Sequence, residues 1–173
     1  MLELKRIANE AIPVALEKAL RYRLLNEPAQ AESICRDVLL VDPDNQSASI
    51  TLLLAVTDQF ESEFATAFEK ANQVLQQITG QYEQVYYEGI INERWANAQS
   101  ARGMPVDFVL SWMRTAMRCY EKAEQLSNPA DADALLRWNT CARFLDRHEQ
   151  TSTSEVSSTY DVEASFGDDV PPR

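Results

Sequence analysis

Few side chains in this sequence have the types and spacing that catalysis or metal binding requires. Its one histidine, His148, would have to serve alone as base for any Ser or Cys nucleophile, and it has no partner ligands for zinc. Placed at the end of a last helix, it would act as a cation favouring the negative helix terminus. Cys35, Cys119 and Cys141 are odd in number and form no Cys-x-x-Cys pair, so they read as reduced, small core residues. Glu61/Glu63 and Glu121/Glu124 bring carboxylates together, but on faces expected to be solvated, where paired acids need not share a proton. No acidic calcium loop, Glu-x-x-His pair or Gly-x-Ser-x-Gly string occurs. Four glycines in 173 residues leave no phosphate cradle of the Rossmann or P-loop kind. The expectation is a protein that is not an enzyme and that holds no metal or cofactor.

A chain of this kind acts through the surface it builds. Its length suits one domain with a real core, and 45% of its residues are hydrophobic. Acidic residues outnumber basic ones 27 to 16, for a net charge of −11, so nucleic acid and anionic membrane are repelled as partners. The longest strongly apolar stretch, Ile50 to Val56, is far short of the ~20 residues that span a bilayer. Charges at Glu3, Lys5, Arg6 and Glu10 interrupt the N-terminus, which lacks the apolar run of a signal peptide. Together with the unpaired cysteines, this points to the cytoplasm.

Apolar residues recur at steps of three and four from about residue 2 to 148, and no run alternates with period two, which predicts an all-α chain. Pro13 divides the first stretch, ending near Leu25, into a short leading turn and a main helix. Asn26 or Glu27 caps a second helix with Pro28 in its first turn, and Asp42 with Pro43 opens a third over about 45–58. The fourth covers about 61–78 and ends at Thr79-Gly80. Two long helices follow, about 82–100 and from Gly103-Met104-Pro105 to Leu126. A seventh covers about 130–148, with Leu135, Trp138, Ala142 and Leu145 as its core face. Residues 1–149 form the helical domain. Residues 150–173 hold eight Ser or Thr, five acids and one base, too little apolar surface to offset ordering entropy, and are expected to be disordered.

The helices repeat. Ala19 and Tyr22 are followed by Ala31-x3-Cys35-x2-Val38-x4-Pro43 and then Asp44-Asn45. Weaker echoes are Phe64-x3-Phe68-x2-Ala71 and Ala116-x3-Tyr120-x2-Ala123. The stretch Ile12 to Asn45 resembles one 34-residue tetratricopeptide repeat, in which small residues let two helices of a hairpin approach closely. The likeness covers about 12–128. It departs from the pattern at Phe64, where Ala is usual, and at Asn92, where an aromatic belongs. The 52-residue step from Phe64 to Ala116 also calls for longer helices in the third hairpin or an offset in its phase.

The resemblance implies a stack of about three antiparallel hairpins closed by a capping helix, an α-solenoid whose first helices line a concave groove. Its groove positions fall on Leu16, Leu20, Arg23 and Leu24, then on Ile50, Leu54, Thr57 and Asp58, then on Tyr86, Ile90, Glu93 and Arg94. This set is apolar with isolated arginines and suits an amphipathic helix or extended apolar segment of a protein partner. The implied function is an adaptor or scaffold. The rival is a small-ligand sensor or enzyme with a pocket near the fifth and sixth helices, holding Glu88, Glu93 and Arg94. A third reading uses the aromatic groups of those helices, Tyr82, Tyr86, Tyr87, Trp95, Phe108 and Trp112, to join two copies.

Overall fold

The computed structural model describes the backbone of residues 3–62, 64–128 and 130–163, and the side chains of 3–62, 66–128 and 130–148. Among these the chain is all-helical. A 3-10 turn, Asn9–Ala11, leads into α1 (Ile12–Leu24), followed by α2 (Pro28–Val41), α3 (Gln46–Thr57) and α4 (Phe64–Leu75). Then come α5 (Gln81–Ala101), α6 (Val106–Leu126) and α7 (Asp133–Glu163). Glu63 and Pro129 lie outside the described residues, as do 164–173 of the segment expected to be disordered.

Chain ends of the helices show which residues stop them. Pro13 stands in the first turn of α1 and Pro28 in that of α2, where a missing N–H breaks no ladder. Glu27, not Asn26, holds the N-cap position of α2; Asn26 closes α1. It takes the left-handed conformation (φ 59°), and the Glu27 amide donates back to the Tyr22 carbonyl at 2.9 Å. Gly103 (φ 73°) ends α5 the same way, with the Met104 amide on the Gln99 carbonyl at 3.1 Å. Asn45, not Asp42, caps α3: its side chain accepts from the Ala48 amide at 2.9 Å. Asp42 instead accepts from the Asn45 side-chain amide. Residues 3–8 are not helical, although the apolar spacing began near residue 2. The last helix runs on to Glu163 rather than ending near 148, and no glycine or proline lies between those positions to stop it. His148 therefore stands within α7, its ring 4.3 Å from that of Phe144, and not at a helix end.

Each helix packs on the next, and α1 also meets α3, as α3 meets α5. The largest core cluster joins α1 to α5 through Ala19, Ala31, Cys35, Leu53, Val56, Phe60, Ala71 and Ile91. Ala19, Ala31, Cys35 and Val38, the residues that carry the repeat spacing, are wholly buried. A second cluster binds α5, α6 and α7 through Ala96, Val109, Met113, Ala116, Tyr120 and Cys141. The long step from Phe64 to Ala116 is accounted for by helix length: α5 and α6 have 21 residues each, against 12 in α3 and in α4. Most of the aromatic surplus goes into this core. Trp95 lies between Phe60 and Phe68 (ring centroids 5.3 and 4.7 Å apart), and Phe68 touches Trp112 at 5.2 Å. Phe108 is exposed.

The core face of α7 keeps Trp138 and Leu145, which pack against the second cluster, but not Leu135. Ala134 and Cys141 are buried, Trp138 and Leu145 are half-buried, and Leu135 is exposed. Polar contacts border this face: Arg137 reaches Glu93, and the Trp138 indole donates to Glu121 Oε1 at 2.9 Å.

Gly89 sets the approach of α5 to α6. A Cβ built there would lie 2.6 Å from Cε1 of the Tyr120 ring, which is itself fully buried. Alanine in a helix interior ordinarily gains stability over glycine, so the sign here is diagnostic. Gly89→Ala is expected to lower unfolding free energy by roughly 1–3 kcal/mol, measured by denaturant titration, because the ring has no room to move.

Candidate functional site

The expected groove residues fall into three groups. Leu20 and Leu24 are exposed, at 46% and 89%, and they line a concavity of about 450 Å³ with Arg23, Asn26 and Asp58. Leu16, Ile50 and Leu54 are half-buried against the core, and so lend only their edges to the surface. Ile90 does not reach the surface at all. It is buried because α5 is covered by α3 and α4 on one side and by α6 on the other. Tyr86 is half-buried too, stacked on Tyr82 (5.5 Å) and against Tyr120 (5.8 Å).

Arg23 and Arg94 are brought together by a residue between them. Arg23 Nε donates to Asp58 Oδ2 at 2.7 Å, and Arg94 Nη1 donates to Asp58 Oδ1. Arg94 also donates to Thr57 Oγ1 at 2.7 Å and to the Leu54 carbonyl at 3.2 Å. One carboxylate just past the end of α3 thus ties α1 to α5. Burial works to lower the Arg94 pKa; Asp58 opposes this, while Arg23 and Arg137 add to it. A second concavity, about 290 Å³, continues from Asp58 past Thr57, Phe60 and Glu61 to Arg94 and Asn97. The signal for this bridge was present in the sequence: Arg23, Asp58 and Arg94 alternate in sign at intervals of 35 and 36 residues, close to the repeat length.

Glu88, Glu93 and Arg94 do not share a pocket. Neighbouring helical residues point about 100° apart, so Arg94 joins Asp58 while Glu93 turns into the α5–α6–α7 contact. There the Tyr120 hydroxyl donates to Glu93 Oε2 at 2.6 Å, and Arg137 Nη1 donates to Oε1 at 3.1 Å. Both carboxylate oxygens are engaged. Burial pushes the Tyr120 hydroxyl pKa up, and the Glu93 charge pushes it further. Burial works to lower the Arg137 pKa, but Glu93, Tyr120 and Tyr86 together offset it and the net direction is upward. Glu88 is exposed, and its backbone carbonyl accepts from Asn92.

The three cysteines are free and buried. Burial raises the thiols of Cys35, Cys119 and Cys141 to about 12, about 11 and about 12. Among the described residues no group of three His, Cys, Asp or Glu side chains is placed to hold a metal ion. No helix among them is long and apolar enough to cross a membrane. No protein-family model matches the sequence, and neither a curated protein nor a solved structure does.

Two outcomes follow from this geometry. Asp58→Ala leaves two half-buried guanidinium groups facing each other and is expected to destabilise the fold by roughly 1–3 kcal/mol. Glu17→Ala, which breaks the exposed pair with Arg21, should change stability by less than about 0.5 kcal/mol in the same denaturant series. The thiols supply the second. Their folded pKa values lie above the ordinary 9.0, so the folded state keeps protons that the unfolded state releases. That contribution is intact below pH 9 and is lost as pH rises toward 12. Native protein at pH 8 should therefore resist a thiol reagent, whereas guanidinium-unfolded protein exposes all three cysteines.

Proposed function

We propose that this protein is a non-catalytic adaptor, a tetratricopeptide-like stack of hairpins that binds a segment of a partner protein along the side shared by α1, α3 and α5. The observation that carries the reading is the concavity of about 450 Å³ at Leu20 and Leu24, bounded by the Arg23–Asp58–Arg94 bridge. Support for the stack comes from the burial of Ala19, Ala31, Cys35 and Val38 where the repeat spacing puts them, and from the meeting of α1 with α3 and of α3 with α5. The bridge ties the odd-numbered helices together without filling the concavity, so the surface is held in shape before a partner arrives.

The partner this surface suits is an amphipathic helix, or an extended segment with apolar anchors, that covers Leu20 and Leu24. Burying each leucine fully is worth roughly 1.5–3 kcal/mol. The cytoplasm is the compartment that fits buried, reduced thiols. Glu93, inward-facing and charged, serves packing in this reading, since Tyr120 and Arg137 occupy both its oxygens.

The test is capture of partners from cell lysate, quantified for wild type, Leu20→Asp, Leu24→Asp and a control, Leu136→Asp, an exposed leucine on α7. At least one captured protein should fall by an order of magnitude with each α1 variant and stay level with the control. Capture profiles identical across all four proteins would remove the reading.

A further inference from the structure

α2 and α4 each pack on α3, and a groove of about 460 Å³ lies between them. It shares no residue with the concavity at Leu20 and Leu24. Leu39, Leu52 and Val74 give it an apolar floor, and Leu40, 43% exposed, adds an uncovered side. Arg36, Asp37 and Lys70 border it with both signs of charge.

One residue of this groove comes from none of the helices. Leu4 lines it, and is itself 73% exposed. Residues 3–8 are not helical, and Ala8 is extended (φ −76°, ψ 149°). Ile7 holds this segment against α2, packed in the cluster of Val38 with Leu39 and Val41. Traced backward from the 3-10 turn, the chain thus passes Ile7 and arrives at the groove at Leu4. Met1 and Leu2, the two residues before Glu3, lie outside the described residues. Two residues of extended chain advance about 7 Å, and side chains two apart share one side of such a backbone. Continued in this way, the chain sets Leu2 on the groove side next to Leu4. Glu3 and Lys5, of the opposite parity, are exposed.

We propose that Leu2 enters the groove beside Leu4, so that residues 1–7 form a strap, held at Ile7, that closes the space between α2 and α4. Reach and apolar content select this occupant. The mixed charge of the border does not, since an acidic and a basic segment would fare alike there. One residue separates Leu2 from Leu4, which holds Leu2 at the groove at an effective concentration of about millimolar or above. A segment of another protein would have to displace it and still share the space with Leu4. With the strap in place, Leu4 and Leu40 are covered by the chain itself. The α2–α4 groove then becomes available only when the strap lifts, and the side shared by α1, α3 and α5 is left open.

Two measurements on the full chain test the strap. Leu2→Cys/Gln73→Cys, oxidised with glutathione disulfide at low protein concentration, should form a disulfide within one chain in most molecules, located by peptide mass. Gln73 is an exposed residue of α4 on the groove, and the native cysteines are buried and do not compete. Leu2→Cys/Gln125→Cys, with its second site exposed on α6, should form none. The apolar dye ANS reports the groove itself. Leu2→Asp should raise its fluorescence several-fold over wild type, and Leu2→Met should leave it level. Absence of the disulfide within one chain overturns the inference, and so does an equal yield from the Gln125 control. A disulfide formed only between two chains would give the groove to a second copy and overturn it as well. Dye fluorescence as strong in wild type as in Leu2→Asp would mean a groove open to a foreign segment, and the strap would be wrong.

Discussion

The contact on which the C-terminal half of the fold depends is Tyr120 lying on Gly89 with its hydroxyl on Glu93. A carboxylate taken out of water costs several kcal/mol unless donors replace the lost solvent. Tyr120 supplies one donor from α6 and Arg137 a second from α7. The ring can deliver its hydroxyl to Glu93 only if α6 approaches α5 closely, and the absence of a Cβ at position 89 permits that approach. Steric and electrostatic requirements therefore select the same register. Were α6 to slide by one turn, the ring would lose its gap and the carboxylate would lose its partner together.

α5 is the helix through which both polar networks pass. Glu93 links it to α6 and α7, and the next residue, Arg94, links it through Asp58 to α3 and α1. The two links differ in kind. The Glu93 group is buried and demands satisfaction, so it specifies geometry more than it adds stability. The Asp58 group is half-exposed and sits at the edge of a concavity, where it holds two arginines that would otherwise repel. An arginine so held is a poor free hand for recognition. Leu20 and Leu24 are therefore the natural anchors of that surface, and the bridge is its frame.

Much of this was legible in the residues. Spacing of three and four gave the helices, and small residues such as Ala19, Ala31, Ala71 and Ala116 marked the close contacts between them. The failures have a common physical origin. Asn26 and Asp42 are the residue types that cap helices, yet Asn26 closes α1 and Asn45 takes the cap of α3, because which helix end such a residue serves depends on its φ, and φ is set by the chain on both sides. Ile90 was assigned outward because a repeat pattern ascribes one face to the groove, whereas α5 is covered on more than one side. The phase of α7 was taken from its apolar residues, with Leu135 inward. Trp138 and Leu145 do face inward, whereas Leu135 gives way to Ala134 and Cys141, and Arg137 and Trp138 add partners 44 and 17 residues away. Polar anchoring over such distances leaves no local signature.

Helices that pack mainly on their sequence neighbours leave the two ends of the array unlike its middle. An interior helix is covered by helices before and after it, but the first and last each keep one side without a neighbour. At the α7 end the problem is met with polarity: Arg143, Asp146 and Arg147 line a shallow concavity there. At the α1 end Val14 and Leu25 are exposed beside Glu17, Lys18 and Arg21. Isolated exposed apolar residues are ordinary on protein surfaces.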